Sequence, residues 1–575
     1  MNGVSNSALI FRRFTRILRS LGNLRSITVI RGIMLIFRNL LSLLWRHPGH
    51  LVWVALAYLP FVDWMSLALT GDQKVYLSTA LEMREQGSWL KPILFGEPSY
   101  YKPPLQYWAT LAGWKVFGFG LAGALIPSCL IALATAWLCG EISKLLIGRR
   151  EIVSAGLWFG AALGTATFGL TAQMEIYVVF FYAAAWWAGL KFLQQPREGR
   201  VSAWLYLAFA LAGVGALAKS PLYSVLWVAG FFSFLLITGE WELFRQRRLY
   251  GAWLLGVVLG AAWYLTALAL DRERFWTDYF LRETWLKKSG NQSTGASLWL
   301  ALAYFAFPFT LILLPSLRGL FQFRRRPEPL LFVLSAAWAP ALFFSLYPYR
   351  VTTYLYLLLP VLVVVVDWGS VTVGRGVLFR WLLRISGVGV GLLSLALAAI
   401  LFRAEMISLV IALAFCVSGS VVALLGWRER LRGFALASLA VVFVYHAAVA
   451  ELAREDLAGL RSALSQWSGG SLAMLDENHD IWHEVGMLSS SIRQPVKRLH
   501  TRESGVDFLR QGGVLILSDA QIQSWGDLGA FDQISWQRWS TRTHFPYRDL
   551  ILKGKRGIED FDSRVKRTFV ILKSK

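Results

Sequence analysis

Apolar stretches long enough to cross a bilayer as a helix recur along most of this chain, and that recurrence constrains its fold more than any other feature. About twenty such residues span the hydrocarbon core, and windows of this kind number about thirteen between 51 and 450. They fall at 51–69, 119–139, 153–170, 176–193, 202–218, 221–238, 250–270, 297–317, 329–347, 353–373, 384–402, 406–426 and 433–450. Every second connection is basic. Arg12, Arg13, Arg16, Arg19, Arg25, Arg31, Arg38 and Arg46 precede the first window with no acidic residue among them. Lys144, Arg149 and Arg150 follow, then Arg197 and Arg200, then Arg245, Arg247 and Arg248, then Arg318 and Arg324 to Arg326. Arg375, Arg380 and Arg384, and finally Arg428, Arg430 and Arg432, complete the series. Basic residues in short loops stay on the cytoplasmic side, which predicts a cytoplasmic N-terminus and, with an odd number of spans, an outer C-terminus. The net charge of +23 is then cytoplasmic loop charge and not a nucleic-acid footprint.

Three regions follow. Residues 1–50 read as a basic amphipathic cytoplasmic segment, whose Ile27, Val29, Ile30, Ile33, Leu35, Ile36, Leu40, Leu41 and Leu44 suit a helix lying on anionic lipid. Residues 51–450 form the membrane part, with a first outer loop at about 70–118 that is too long for a mere connector. Its aromatic and amphipathic content predicts helices along the membrane surface that roof a cavity. Residues 451–575 are polar, with alternating apolar runs at Ser471 to Leu475 and Gly513 to Leu517 and helical patterns at His483 to Ser491 and Ser504 to Gln511. That pattern predicts a small soluble α/β domain. His479, His483 and Glu484 superficially resemble metal ligands, but they lack the HExxH spacing and a third ligand, so a surface polar cluster is the expectation. Cys129, Cys139 and Cys416 lie in apolar stretches without paired spacing and read as buried fillers. No short apolar core with a small-residue cleavage site opens the chain, so no removable signal peptide is expected.

Charged groups at the mouth of a membrane bundle are costly to keep there, which makes them candidates for function. Asp72 opens the first outer loop, and Tyr76, Tyr101 and Lys102 lie further along it. Glu175 stands at the second outer corner, Lys219 between the fifth and sixth windows, Glu283 and Lys287 in the next outer loop, and Tyr347 and Arg350 after the ninth window. A carboxylate beside several basic groups suits an anionic lipid phosphate held while a nucleophile attacks the attached group. Tyr76, Tyr100, Tyr101, Tyr347 and Trp108 offer faces for sugar or prenyl groups, although an interfacial aromatic belt explains each of them singly. Asp72 also suits a helix N-cap, and Lys102 an interfacial anchor.

Several motifs then recur in a specific order. Asp72 follows the first window; Gly87-Ser88-Trp89 and Pro92 follow a helical stretch; Tyr101-Lys102-Pro103-Pro104-Leu105-Gln106-Tyr107-Trp108 closes the loop. Ala218-Lys219-Ser220-Pro221, Trp263-Tyr264, Phe275-Trp276, Tyr279-Phe280 with Glu283, and Phe343-Phe344-Ser345-Leu346 before Arg350 and Tyr354-Leu355 come after. This series resembles the aminoarabinose transferase-like GT-C glycosyltransferases, within the superfamily that also holds the protein mannosyltransferases.

The resemblance implies a polytopic α-helical GT-C membrane protein with about thirteen spans, periplasmic surface helices and a small C-terminal periplasmic α/β domain. It implies a multi-pass enzyme of the bacterial inner membrane that moves one sugar from a polyprenyl (undecaprenyl) phosphate donor to lipid A or another envelope glycolipid or glycan. Asp72 then matches the catalytic aspartate, Lys102 the lysine that holds donor phosphate, and Lys219 and Arg350 further phosphate neutralisers. Glu175, Glu283, Tyr76, Tyr101 and Tyr347 are placed as cavity residues. The chain departs from the family at Gln73 and Tyr101, where acids are usual, at Glu175, where an aspartate is common, and at Thr284, where the aminoarabinose transferase has a histidine. Losing that histidine and the acid at 101 removes two plausible zinc ligands, so no divalent metal or other cofactor is obligatory. The alternatives are transfer to protein hydroxyls, a non-catalytic binder of lipid-linked sugar, and a lipid transporter. No repeated halves with discontinuous spans favour the last.

Overall fold

The computed structural model describes residues 49–63, 71–147, 155–195, 202–285, 295–322, 328–347, 349–374, 376–466, 471–475, 488–518, 521–522, 525, 531–539 and 566–574. The basic N-terminal segment therefore lies outside the described residues up to position 48, as do Lys287, His479, His483 and Glu484.

Helices follow one another almost without interruption: α1 (Gly49–Tyr58), α2 (Gly71–Glu85), α3 (Leu105–Phe117), α4 (Leu121–Ile147), α5 (Ala155–Ala161), α6 (Leu163–Phe168), α7 (Met174–Leu193), α8 (Ser202–Ala216), α9 (Pro221–Thr238), α10 (Trp241–Phe244) and α11 (Arg247–Leu270). Then come α12 (Arg272–Phe275), a π-helical segment Trp276–Trp285, α13 (Gly295–Phe305), α14 (Thr310–Gln322), α15 (Glu328–Leu346), a 3-10 segment Thr352–Leu358, α16 (Leu359–Thr372), α17 (Val377–Arg403), α18 (Leu409–Trp427) and α19 (Leu431–Gln466). Among the described residues eight helices are long and apolar enough to span a bilayer, and α13 with α14, bent by 102°, make a ninth if taken as one span. Three shorter apolar helices, Leu51–Phe61, Ala203–Ala216 and Leu331–Leu346, add to these. The chain is a multi-pass membrane protein.

Among the described residues length and composition mark eight or nine of the expected thirteen spans, and the window at 153–170 is not among them. It is broken at Ala162 into α5 and α6, with Ala162 extended at ψ 138°. A break inside a membrane bundle strands backbone donors unless a neighbour accepts them. Here the Leu163 N–H donates to the Phe307 carbonyl at 2.9 Å, at the bend between α13 and α14, so the two interruptions satisfy each other. Elsewhere the helices meet through small residues, which permit close backbone approach in lipid. A Cβ on Gly213 of α8 would stand 2.2 Å from the Gly256 carbonyl oxygen of α11.

The first outer loop holds α2, a hairpin of β1 (Ile93–Leu94) and β2 (Glu97–Pro98), and α3. The expected helices of this loop are present, and α2 packs one face against the protein: Gln73, Lys74, Tyr76, Leu77, Ala80, Leu81 and Met83 are all buried. Beyond the spans stands a five-stranded sheet of order β4 (Val496–Leu499), β3 (Leu472–Leu475), β5 (Val514–Ser518), β7 (Lys566–Ser574), β6 (Phe531–Trp539). Strand β3 runs parallel to β4 and β5, and β7 is antiparallel to both β5 and β6. Helix α20 (Arg502–Arg510), capped by Thr501 and Ser504, packs its Gly505 against Leu515 and Trp525. The expected start of this region at 451 falls inside α19, which continues unbroken from its apolar part into a polar one.

Candidate active site

The candidate residues stand at the ends of several helices of the bundle. Asp72 lies in the first turn of α2 and is exposed. A carboxylate at this end of a helix is favoured by the macrodipole, so its position is stable without burial. The neighbouring Gln73 is buried, and its Oε1 accepts the Ala172 N–H at 3.2 Å, fastening the start of α2 to the corner that precedes α7. An amide makes this bond where an acid is usual in the resembled family.

Glu175 occupies the first turn of α7 and Lys219 the residue before the N-cap of α9. The cap is well made: Ser220 Oγ accepts the Leu222 N–H at 3.3 Å, and Pro221 supplies a preset φ. Lys219 Nζ lies 2.6 Å from Glu175 Oε1, and Thr353 Oγ1 donates to the same oxygen at 3.3 Å. Burial by itself lowers an ammonium, yet the Glu175 charge overcomes it and holds Lys219 above its ordinary value. A small notch beside the pair is lined by Tyr223, Tyr354 and Tyr356 as well as Thr353.

Lys102, buried ahead of the Pro103-Pro104 step, pairs with Glu283 at the end of the π-helical segment. Its Nζ also lies 4.3 Å above the Tyr101 ring. The stretch is tied to the Lys219 corner by the backbone, since the Leu105 N–H donates to the Leu217 carbonyl at 3.1 Å. Burial first, then the charges of Glu283 and Asp72, raise the Tyr101 hydroxyl above its ordinary value. Asp72 acts likewise on Tyr76, Tyr349 and Lys219, so these groups share one electrostatic neighbourhood. Tyr76 is buried edge-on to Tyr107 at 6.0 Å, and Tyr347 stacks on Phe343 at 5.2 Å with Glu283 close enough to raise its hydroxyl, after burial.

Arg350 is held locally: its Nη2 donates to the Ser345 carbonyl at 3.0 Å. Glu175 takes Lys219 and Thr353 as partners. Sequence reasoning missed Thr353, Tyr349 and the buried Asp278, which accepts the Tyr100 N–H at 3.2 Å. Tyr349 stands between Tyr347 and Tyr354 in an aromatic run that could have pointed to it, whereas Asp278 stood in a mixed-charge stretch that hid it. Among the described residues no three His, Cys, Asp or Glu side chains converge as a metal set.

Residues 101–266 match the family described as "Dolichyl-phosphate-mannose-protein mannosyltransferase". The chain is 26% identical over 391 residues to "Undecaprenyl phosphate-alpha-4-amino-4-deoxy-L-arabinose arabinosyl transferase" of Pseudomonas aeruginosa (strain LESB58), covering 64% of this chain and 69% of that one. It is 24% identical over 219 residues to an uncharacterized protein of Aquifex aeolicus (strain VF5), spanning 37% of this chain and 42% of that protein. The crystal structure of ArnT from Cupriavidus metallidurans bound to undecaprenyl phosphate superposes with a TM-score of 0.64 at 17% identity, over 90% of this chain and 97% of that one. The chain has the GT-C fold and is similar to the aminoarabinose transferases. In this chain the family match begins at Tyr101 and ends beyond Trp263 and Tyr264, so it contains Lys102, Glu175 and Lys219 but neither Asp72 nor Glu283.

Proposed function

We propose that this chain is a glycosyltransferase of the bacterial inner membrane that moves one sugar from an undecaprenyl-phosphate-linked donor to lipid A or another envelope glycolipid at the periplasmic face. One observation carries the reading: in a GT-C fold, two buried lysines, Lys102 paired with Glu283 and Lys219 paired with Glu175, are tied to one corner by the Leu105–Leu217 backbone bond, in a fold whose Asp72 is exposed at a helix start. Buried cations suit a phosphate, and an exposed carboxylate suits a neutral hydroxyl.

The chemistry follows from that division. The acceptor hydroxyl oxygen attacks the anomeric carbon opposite the phosphate, and its proton passes to Asp72. The bond from that carbon to the phosphate oxygen breaks, its electron pair leaves with the undecaprenyl phosphate, and the sugar is inverted. Lys102 neutralises the charge that gathers on the departing phosphate, with Lys219 and Arg350 behind it. Tyr76, Tyr101 and Tyr347 line the approach of the sugar.

Orientation has independent support. Arg493 pairs with Asp63 and Arg498 with Glu82, so the C-terminal sheet sits on the side of Asp72, away from the basic connections that mark the cytoplasm. A cytoplasmic N-terminus and a periplasmic sheet satisfy both.

The match of residues 101–266 to a protein mannosyltransferase family favours one second reading, transfer to protein hydroxyls. The test is mass spectrometry of lipid A and of envelope proteins from cells lacking the protein, complemented with the native chain or Asp72→Asn. A sugar-sized lipid A increment that returns only with the native chain supports the first reading. The same pattern on proteins replaces it with the second, and no increment on either leaves a non-catalytic binder of lipid-linked sugar.

A further inference from the structure

The residue that joins the C-terminal sheet to the first outer loop is Arg498, on the edge strand β4. Its guanidinium lies 3.7 Å from Glu82 Oε1 and 4.7 Å above the Phe95 ring, and both members of the ion pair are largely buried. Glu82 belongs to α2, ten residues after Asp72, or about 15 Å along the helix axis. Its carboxylate is fully committed: Oε1 accepts the Phe95 N–H at 3.2 Å and Oε2 the Gly96 N–H at 2.7 Å. Phe95 and Gly96 form the two-residue tip between β1 and β2, at φ 62° and 76°. Glycine accepts such a conformation readily, whereas for a bulky aromatic it is strained and persists only where its surroundings impose it. Here Glu82 holds the two tip amides and Arg498 covers the ring.

The hairpin passes the restraint onward. Glu97 on β2 accepts from Arg274 of α12 at 2.6 Å, and the Tyr100 N–H donates to Asp278. Asp278 lies in the π-helical segment that also carries Glu283, the partner of Lys102. Polar contacts joined by the hairpin and this segment therefore link Arg498 through Glu82 to Lys102, while Glu82 shares a helix with Asp72.

We propose that Arg498 is a positioning residue: through Glu82 and the Phe95–Gly96 tip, the C-terminal sheet sets the placement of Asp72 and Lys102 against each other. The inference rests on the reading of those two residues as the substrate site. A planar guanidinium covers an aromatic ring while carrying its charge to the carboxylate beside it, so Arg498→Lys keeps the charge and loses the planar ring contact.

The test uses the full-length protein in detergent, with undecaprenyl phosphate as probe. Arg498→Met is expected to raise amide exchange across 71–98 at least tenfold, to leave exchange in the spans unchanged, and to weaken undecaprenyl phosphate binding roughly tenfold, as remote misplacement of a binding group does. Arg498→Lys recovers part of both. Glu82→Gln, altered from the other side of the contact, gives the same pattern, which guards against misfolding of the sheet. Arg510→Met, in an exposed pair with Asp507, is the control and changes neither. Native-like exchange across 71–98 in Arg498→Met, or loosening without weaker binding, overturns the inference. Lys102→Met separates the two levels: if it binds the probe as the native chain does, the site reading fails, whereas if it binds weakly and Arg498→Met binds normally, only the positioning role fails.

Discussion

Lys102 and Glu283 stand 181 positions apart in sequence and meet as a buried ion pair, with side chains only 8% and 14% exposed. A phosphate that binds Lys102 competes with this carboxylate. Glu283→Gln is therefore expected to tighten undecaprenyl phosphate binding by roughly three- to tenfold, or about 0.7–1.4 kcal/mol. Lys102→Met loses a charged hydrogen bond worth about 1.5–3 kcal/mol and weakens binding by roughly 10- to 100-fold. Titration of both purified variants measures this, and weaker binding by the Gln variant would show that Glu283 assists the phosphate instead of opposing it.

The Glu175–Lys219 pair makes a different prediction, one of stability. Removing one partner leaves a buried charge uncompensated, at a cost of about 3–5 kcal/mol. Lys219→Met should fall into that range in chemical or thermal unfolding, and adding Glu175→Gln should recover more than half of the loss. A double variant no more stable than the single one would mean that the two residues are not energetically coupled.

Asp72 should behave in the opposite way, because it is exposed. Asp72→Asn is expected to lower sugar transfer by about 100-fold or more, the scale of general acid–base catalysis. Unfolding should change by no more than the ~0.3–1 kcal/mol of a helix-terminus charge, and undecaprenyl phosphate binding by less than twofold. Transfer retained in this variant removes Asp72 from the mechanism.

Glu82 carries a pH signature. Burial raises its carboxyl above the ordinary 4.5, outweighing the Gly96 and Phe95 amides and Arg498, which pull the other way. An acid raised in the folded chain binds its proton more readily there than when unfolded. Its stabilising contribution is thus complete below about 4.5 and is lost as pH rises through the folded value. Thermal unfolding followed from pH 7 downward should show the native chain gaining on Glu82→Gln as it approaches that window. A constant difference, or a gain with rising pH, contradicts the shift.

Much of this was legible in the sequence because the bilayer imposes a coarse rule that composition obeys. Span windows and the Ser471 and Gly513 strands are runs of one residue class, and the spacing from Asp72 to Lys102 is local. The pairings were not legible. Lys219 finds Glu175 across 44 positions and Lys102 finds Glu283 across 181, and nothing in either neighbourhood names its partner. The break at Ala162 was hidden because an apolar window records hydropathy and not the backbone bond from Leu163 to Phe307 that makes the break tolerable. Strands β4, β6 and β7 were missed because charged residues punctuate them, as in Lys497 and Arg498 of β4, one of which reaches the outer loop.

Strand β7 lies between β5 and β6, although both precede it in the chain. Of the described strands the last to be synthesised is thus inserted between two made before it, so β5 and β6 are joined only once it arrives, whereas β4, which carries Arg498, is paired with β3 alone and draws only on strands that precede β7.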